Sequence, residues 1–384
     1  MERSIHAFYD SLGRNAPHVS PTEAATTIQI CEAVPLDDMI PRDAKPAAGS
    51  DGRPEFDEPS EECDLSILGG SGYIATAIAR AALAKGLKVR VLARNPASIS
   101  ESLRRQGVEL VVGDIRDDTA LALVFRGAKA VVDTAFPKGS PRMAEDILAL
   151  AERVAAAAAD AGTDLLVYFG TIGSMNMRDS ATITDTTPID PNIRERNPYA
   201  RGKGLAEQRL FALHAKDGLP VCVLRPGVVV GGDNAPPVHP AVGQVRNGRH
   251  IVGSVAPTQP MPWVLVDDVA DAVLSAVENP QVVGKTYNLV SAAKLSAGEY
   301  VRAINEQTGR RLIYLQIYPK RIYAMGVFKG LIKRLLRRKP GSTSLADQEN
   351  RTMRASWDTS AGRRDLDWHP VDDSQRILAA MIRS

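Results

Sequence analysis

Cysteine is scarce in this 384-residue chain: there are three, Cys31, Cys63 and Cys222, odd in number and far apart. No disulfide framework or metal-ligand spacing can be built from them, so a reducing compartment and no metal site are expected. Net charge is almost absent too. Forty-seven Lys and Arg against 45 Asp and Glu leave +2, without the basic excess of a dedicated nucleic-acid binder. No run reaches the ~18 apolar residues that a spanning helix needs. The opening MERSIHAFYDSLG has no apolar stretch behind its basic residue, so a signal peptide is not expected. A cytoplasmic protein fits these absences.

What is present is ordinary for a globular chain, 44% apolar and 24% charged. The length suits one large α/β domain plus an appendage. Residues 1–35 read as two short amphipathic helices. Ile5, Phe8, Tyr9 and Leu12 share a face of the first, and SPTE (20–23) supplies Ser20 as cap and Pro21 at the opening position of the second. Residues 36–63, rich in Pro, Asp, Glu and Gly, read as a flexible linker. From Asp64 short β-branched runs alternate with alanine-rich helices, which predicts a doubly wound parallel sheet with helices on both faces.

The first strand, DLSIL, leads into GGSGYIA, where Gly69, Gly72 and Ala75 form a GxxGxxA turn that opens a helix. The first glycine permits a tight turn, the second lets backbone approach a pyrophosphate, and the small third residue lets helix and strand pack closely. The N–H groups of the helix start then face the phosphates. An acidic residue at the end of the second strand would hold an adenosine ribose diol. VLARNP has Ala93 and Arg94 there instead, and a cation suits a 2′-phosphate, so NADP(H) is favoured over NAD(H). The alternative for Arg94 is a solvated loop cation. Asp114 and Ile115, at the end of the third strand, are placed where the adenine should lie.

Tyr199 and Lys203, in NPYARGKGLAEQRL, stand at i and i+4 on one helix face. A phenol titrates near ~10, and a neighbouring ammonium would favour its phenolate. Such a tyrosine can exchange a proton with an alcohol or carbonyl as hydride moves. Thr171 and Ser174, just past the fifth strand in FGTIGS, offer a hydroxyl to hold the substrate oxygen, and Thr171, nearer the strand end, is preferred.

The ordered set GGSGYIA, GDIRD, FGTIGS, YARGK, VLRPGVVVGG (223–232), WVLVDDVADAVLSAV (263–277) and WDTSAGRRDLDWHP (357–370) resembles the extended, NAD-dependent epimerase/dehydratase branch of the short-chain dehydrogenase/reductases, over about residues 64–384. The resemblance implies a Rossmann core of about 64–230 plus 263–290 and a smaller substrate lobe of about 231–262 and 291–384. It implies Thr171, Tyr199 and Lys203 as catalytic trio. Gly69, Gly72, Tyr73, Ile74, Ala75, Lys203 and Pro226 would lie along the dinucleotide, and a homodimer is the family habit. Two departures bear on substrate: Val230-Gly231 replaces a Tyr-Gly of nucleotide-sugar members, and Met261 stands where they often carry a diphosphate-binding arginine. Asp267 and Asp268 are expected to cap the helix that follows them. Residues 1–35 resemble the last helices of the Gfo/Idh/MocA oxidoreductases; the alternative is a helical hairpin packed on the catalytic domain or a dimer mate.

The stretch 320–339 carries eight cations and no acid. It is expected to form a basic amphipathic helix, either lying on an anionic membrane or belonging to the substrate lobe. The function expected from the whole is an NAD(P)-dependent oxidoreductase or epimerase working on an alcohol or carbonyl carbon of a sugar or sugar-nucleotide. A reductase of a non-sugar carbonyl and a non-catalytic NADP(H)-binding sensor or scaffold are the alternatives.

Overall fold

The computed structural model describes residues 59–177, 181–232, 238–337, 344–352 and 354–382. The helices expected in 1–35, their Gfo/Idh/MocA likeness and the linker up to residue 58 lie outside these residues. The first half alternates strand and helix as β1 (Cys63–Leu68), α1 (Tyr73–Ala84), β2 (Val89–Ala93), α2 (Glu101–Arg105), β3 (Glu109–Val112), α3 (Asp118–Phe125), β4 (Ala128–Asp133), α4 (Met143–Ala161) and β5 (Leu165–Phe169). A two-residue strand β6 (Thr182–Ile183) precedes α5 (Pro198–Asp217), β7 (Val221–Pro226) and β8 (Val228–Val230). Next come β9 (Gln244–Arg246), β10 (His250–Gly253), β11 (Trp263–Leu265), α6 (Val266–Glu278), β12 (Thr286–Leu289), α7 (Ala297–Thr308) and β13 (Ile313–Gln316). The chain closes with α8 (Pro319–Leu335), α9 (Leu345–Arg351), β14 (Ser356–Trp357), α10 (Ser360–Asp365) and α11 (Ser374–Ile382).

Seven strands form one parallel sheet in the order β12-β7-β5-β4-β1-β2-β3. The strand order reverses between β1 and β4, and in an open α/β sheet that switch point opens a crevice at the carboxyl edge where ligands bind. Apolar side chains run along both faces of the strands, as the sequence predicts. One buried layer joins the sheet to α1 and α6 through Ile78, Ala79, Val269 and Val273. The other joins it to α3, α4 and α5 through Leu121, Val154, Ala158 and Leu210. A third cluster, around Val242, Ile251, Trp263, Tyr300 and Ile377, is the core of the smaller lobe.

The structure corrects the expected boundaries. The linker ends before residue 60, because Ser60 donates its backbone N–H to Glu109 and its carbonyl accepts from the fully buried Arg90 guanidinium. PVCVLRPGVVV is two strands in different sheets: Pro226 brings no N–H, and Gly227 lies so near Pro262 that a Cβ would sit 2.2 Å from the Pro262 carbonyl oxygen. Residues 360–368, expected in the substrate lobe, fold back on the core. Trp368 is buried there and its indole donates to the Asp268 carbonyl at 2.7 Å. The N-cap Leu265 offers no side-chain cap to α6; the Asp268 carboxylate accepts from the Leu265 backbone at the helix start, as half of the expected capping, and also from the Val371 backbone, which fastens the returning segment.

Candidate active site

The turn after β1 has the features that a dinucleotide phosphate requires. Gly69 has φ +82°, and a Cβ there would press on the Ala135 backbone at 3.1 Å and on Thr134. At Gly70 a Cβ would meet Val91 at 2.7 Å. Gly72 is the N-cap of α1 and bears no side chain to satisfy the first turn, which also has no acid. The N–H groups of Tyr73, Ile74 and Ala75 therefore point into the crevice available to an anion. Tyr73 reaches across, its hydroxyl bonded to the Gly231 carbonyl.

Arg94 is exposed just past β2, as expected, and its charge acts on Asp114. Asp114 is already engaged by Arg116, whose Nε and Nη2 donate to it at 2.9 and 2.7 Å. That fork, helped by Arg94, holds the carboxyl down to about 2. Ile115 is half-buried against the α3–α5 layer. Arg116 is a neighbour that the sequence reading did not single out.

Thr171 follows β5 and Tyr199 stands in the first turn of α5, and the Thr171 hydroxyl is near enough to act on the phenol. Thr171 Oγ1 also accepts from the Gly173 N–H at 3.1 Å, which fixes its rotamer. Ser174 is buried, and its hydroxyl donates to the Thr171 carbonyl, so of the two candidates Thr171 faces the cleft. The Tyr199 ring stands edge-on to Phe136, 5.7 Å between centroids, on the loop after β4.

Lys203 departs from expectation. It is buried, with its ammonium 4.6 Å from the Tyr168 ring centroid and within the field of Asp133 at the end of β4. Burial pulls the ammonium down, and Asp133 opposes this. Burial also pushes the Asp133 carboxyl up, opposed by Lys203. Nothing from Lys203 lowers the Tyr199 phenol, which burial holds above its ordinary value while the Thr171 hydrogen bond works against the rise. Without a dinucleotide in the cleft, the influences on the phenol are therefore burial and Thr171, and the Lys203 ammonium answers to Asp133.

A second set of residues fixes this geometry from far along the chain. Arg196, just before α5, is buried, and its guanidinium donates to Asp347 at 2.6 Å, Asp190 at 2.8 Å and the Gly173 carbonyl at 2.7 Å. Asp347 also accepts from the Asn197 N–H at 2.7 Å. With its amide oxygen towards the guanidinium, Asn350 accepts from Arg196 at 2.8 Å. Asn197 in turn caps α5 by accepting from Tyr199 N and Ala200 N. On the other side, Glu207 of α5 is locked to the buried Arg225 of β7.

Above Tyr199 and Thr171 opens a cavity of about 510 Å³. Its walls are largely apolar and include Ile172, Met177, Val228, Met261 and Trp357, with Gln259 and Arg351 among the polar groups. Pro226 and Ile74 border it, so it is continuous with the crevice at the switch point.

The family model of the NAD dependent epimerase/dehydratase family matches residues 65–289. The chain belongs to that family. It is an NAD(P)-dependent enzyme of the extended short-chain dehydrogenase/reductase type. Cinnamoyl-CoA reductase 2 of Arabidopsis thaliana is 31% identical over 258 residues, 62% of this chain and 76% of its own length. Sterol demethylase protein B of Methylococcus capsulatus is 24% identical over 275 residues, 70% of this chain and 81% of that protein. Among solved structures, the dTDP-glucose 4,6-dehydratase DesIV of Streptomyces venezuelae, with NAD and TYD bound, superposes with a TM-score of 0.64 at 20% identity, over 83% of this chain and 96% of that one. The last likeness is one of fold.

The residues present fit a dinucleotide. The glycine turn has no room for a Cβ, the α1 N-terminus is uncapped, and the buried Lys203 ammonium has no hydrogen-bond partner among the described residues, so ribose hydroxyls would satisfy it.

Proposed function

We propose that this enzyme is an NADP(H)-dependent reductase of a carbonyl compound whose body is mainly apolar, the non-sugar alternative raised by the sequence. The observation that carries this reading is the cavity wall. Met177, Val228, Met261 and Trp357 form a continuous apolar wall that suits a hydrophobic substrate body, while His239, Gln259, Asn350 and Arg351 supply polar groups for the rest of the molecule. Met261 is 7% exposed and faces this cavity, where it brings no charge to a diphosphate.

The bound dinucleotide supplies the hydride. The protein's part is to hold the carbonyl oxygen between two hydroxyls and to provide the proton. Thr171, its rotamer fixed by Gly173, donates to the oxygen, and Tyr199 gives up its phenolic proton as charge develops there. A neutral phenol suits this direction, since a proton donor must hold its proton before hydride arrives. Lys203 binds the nicotinamide ribose, and the Asp133 charge behind it offsets the cost of burying the ammonium. Arg94, exposed beside the turn, takes the 2′-phosphate and sets the preference for NADPH.

The test is NADPH oxidation followed across a panel of aldehydes, ketones and acyl thioesters with hydrophobic bodies, alongside UDP- and dTDP-sugars. Turnover of the first group is expected, with Tyr199→Phe reducing it by ~10³ or more while NADPH still binds. Full activity of Tyr199→Phe, or turnover confined to nucleotide sugars, would overturn the reading.

A further inference from the structure

Helix α8 differs from the other long helices. None of its 17 residues is buried. Among the largest exposed apolar side chains of the described residues, Met325, Val327, Phe328, Leu331, Ile332 and Leu335 all belong to it, Phe328 being 64% and Leu335 89% accessible. At ~100° per residue these side chains, with Leu336, fall within one arc of about 180°. The half-buried residues of the helix are Pro319, Ile322, Tyr323, Gly326 and Gly330, which fall on the opposite arc. The helix therefore rests on the protein, against α9, by a narrow face containing two glycines and turns its broad apolar face outward.

Charge completes the pattern. Lys329 and Lys333 follow one margin of the apolar arc and Arg334 the other, with Lys320 and Arg321 at the start and Arg337 just beyond the end. Arg338 and Lys339, the last two of the eight cations, lie outside the described residues. There is no acid between Pro319 and Asp347. A purely apolar partner would not need cations along the margins, and a nucleic acid would not need the phenylalanine and leucines at the centre. A layer that is negative at its surface and apolar beneath needs both. No helix among the described residues is long and apolar enough to cross a membrane, so α8 would lie in the plane of the headgroups.

We infer that α8 docks the enzyme on the surface of an anionic lipid bilayer, with Phe328, Leu331 and Leu335 inserted among the acyl chains and the basic residues at the phosphates. The consequence for the site is direct. α8 packs on α9, whose Asp347, Asn350 and Arg351 line the catalytic cavity, so docking brings the cavity wall next to the bilayer. This inference stands independently of the carbonyl reading and is tested without turnover.

Full-length protein is sedimented or floated with phosphatidylcholine vesicles, with and without phosphatidylglycerol. Two variants accompany it, Lys329→Glu/Lys333→Glu/Arg334→Glu and Phe328→Ser/Leu331→Ser/Leu335→Ser. The wild type is expected to bind the phosphatidylglycerol vesicles and to be released by high salt. Each cation is worth about fivefold, so the charge variant should bind at least roughly a hundredfold more weakly. Both variants should keep the wild-type melting temperature and NADPH affinity, because none of the six residues is buried. Wild type that stays in solution with anionic vesicles overturns the inference, as does binding that both variants retain. A wild-type dimer that the serine variant converts to monomer, without vesicle binding, would assign the face to a second copy of the chain and overturn it equally.

Discussion

Tyr199, the proposed proton donor, is positioned by Asp347, 148 places further along the chain, and replacing that residue separates positioning from binding. In Asp347→Asn the side chain keeps its shape but loses its charge and one of its two acceptors. It now accepts from the Arg196 Nε or from the Asn197 N–H, 2.6 and 2.7 Å away, and presents an amide donor to the other. Arg196 and Asp347 are nearly inaccessible, so water cannot substitute. A hydrogen bond to a charged partner is worth ~1.5–3 kcal/mol, and breaking a buried ion pair costs ~3–5 kcal/mol. Arg196 retains Asp190 and the Gly173 carbonyl, so the lower end applies, about 3 kcal/mol. For a domain of this size that is a fall in melting temperature of about 5 °C. A kinetic effect should accompany it, because Asn197 caps the turn that carries Tyr199 and Arg196 holds the turn that carries Thr171. A displacement near 1 Å costs ~10²-fold in turnover. The assay is a thermal melt, an NADPH titration and steady-state kinetics on one preparation: kcat should drop ten- to a hundredfold, by order of magnitude, with NADPH affinity unchanged. An Asp347→Asn enzyme with wild-type melting and kcat would refute the positioning argument.

Three other residues give outcomes that can be measured separately. Burial raises the Asp268 carboxyl to about 6, so the folded state takes up its proton before the unfolded chain does; the stability this adds is fully present below about pH 4 and is lost as pH rises through about 6. Asp268→Asn, which can still accept from Val371, should be neutral or stabilising at pH 7 by up to ~2 kcal/mol, and the difference from wild type should vanish near pH 4 in urea titrations. Gly69→Ala places a side chain at φ +82° against the Ala135 backbone; NADPH affinity, read by fluorescence titration, should weaken at least about tenfold through strain of ~1–2 kcal/mol in the turn. Arg94→Ala should raise KM for NADPH by roughly ten- to a hundredfold and leave KM for NADH within about twofold, because only the 2′-phosphate loses its partner.

The parallel sheet was legible in the sequence because its strands are buried on both faces and therefore read as uninterrupted apolar runs, LLVYF being the plainest. The glycine turn was legible because a missing Cβ is itself a residue type. Thr171, Tyr199 and Lys203 could be picked out by order and spacing on that sheet. Electrostatics could not. The i, i+4 spacing pairs Lys203 with Tyr199, but the ammonium is also under the influence of Asp133, which the parallel register places beside Tyr168 on the neighbouring strand. Periodicity along one helix says nothing about what an adjacent strand brings. Asp347, Asn350 and Trp357 were illegible for a stronger reason: they reach the site from more than 140 residues away, and β14 meets β6 through two residues a strand, too short to leave a pattern.

That long-range closure ties specificity to catalysis. The segment 344–357 contributes Asn350, Arg351 and Trp357 to the wall that meets the substrate body, and the same segment contributes Asp347, which fixes the start of α5. A substrate that pushes on this wall therefore pushes on the cap of the helix bearing Tyr199, whereas the far side of α5 is immobilised by Glu207 on Arg225. One side of α5 is pinned to the sheet and its start is tied to the 344–357 segment, so the proposed proton donor shares its support with the cavity wall. A substrate truncated so that it no longer reaches Trp357 should accordingly lose kcat and not merely binding.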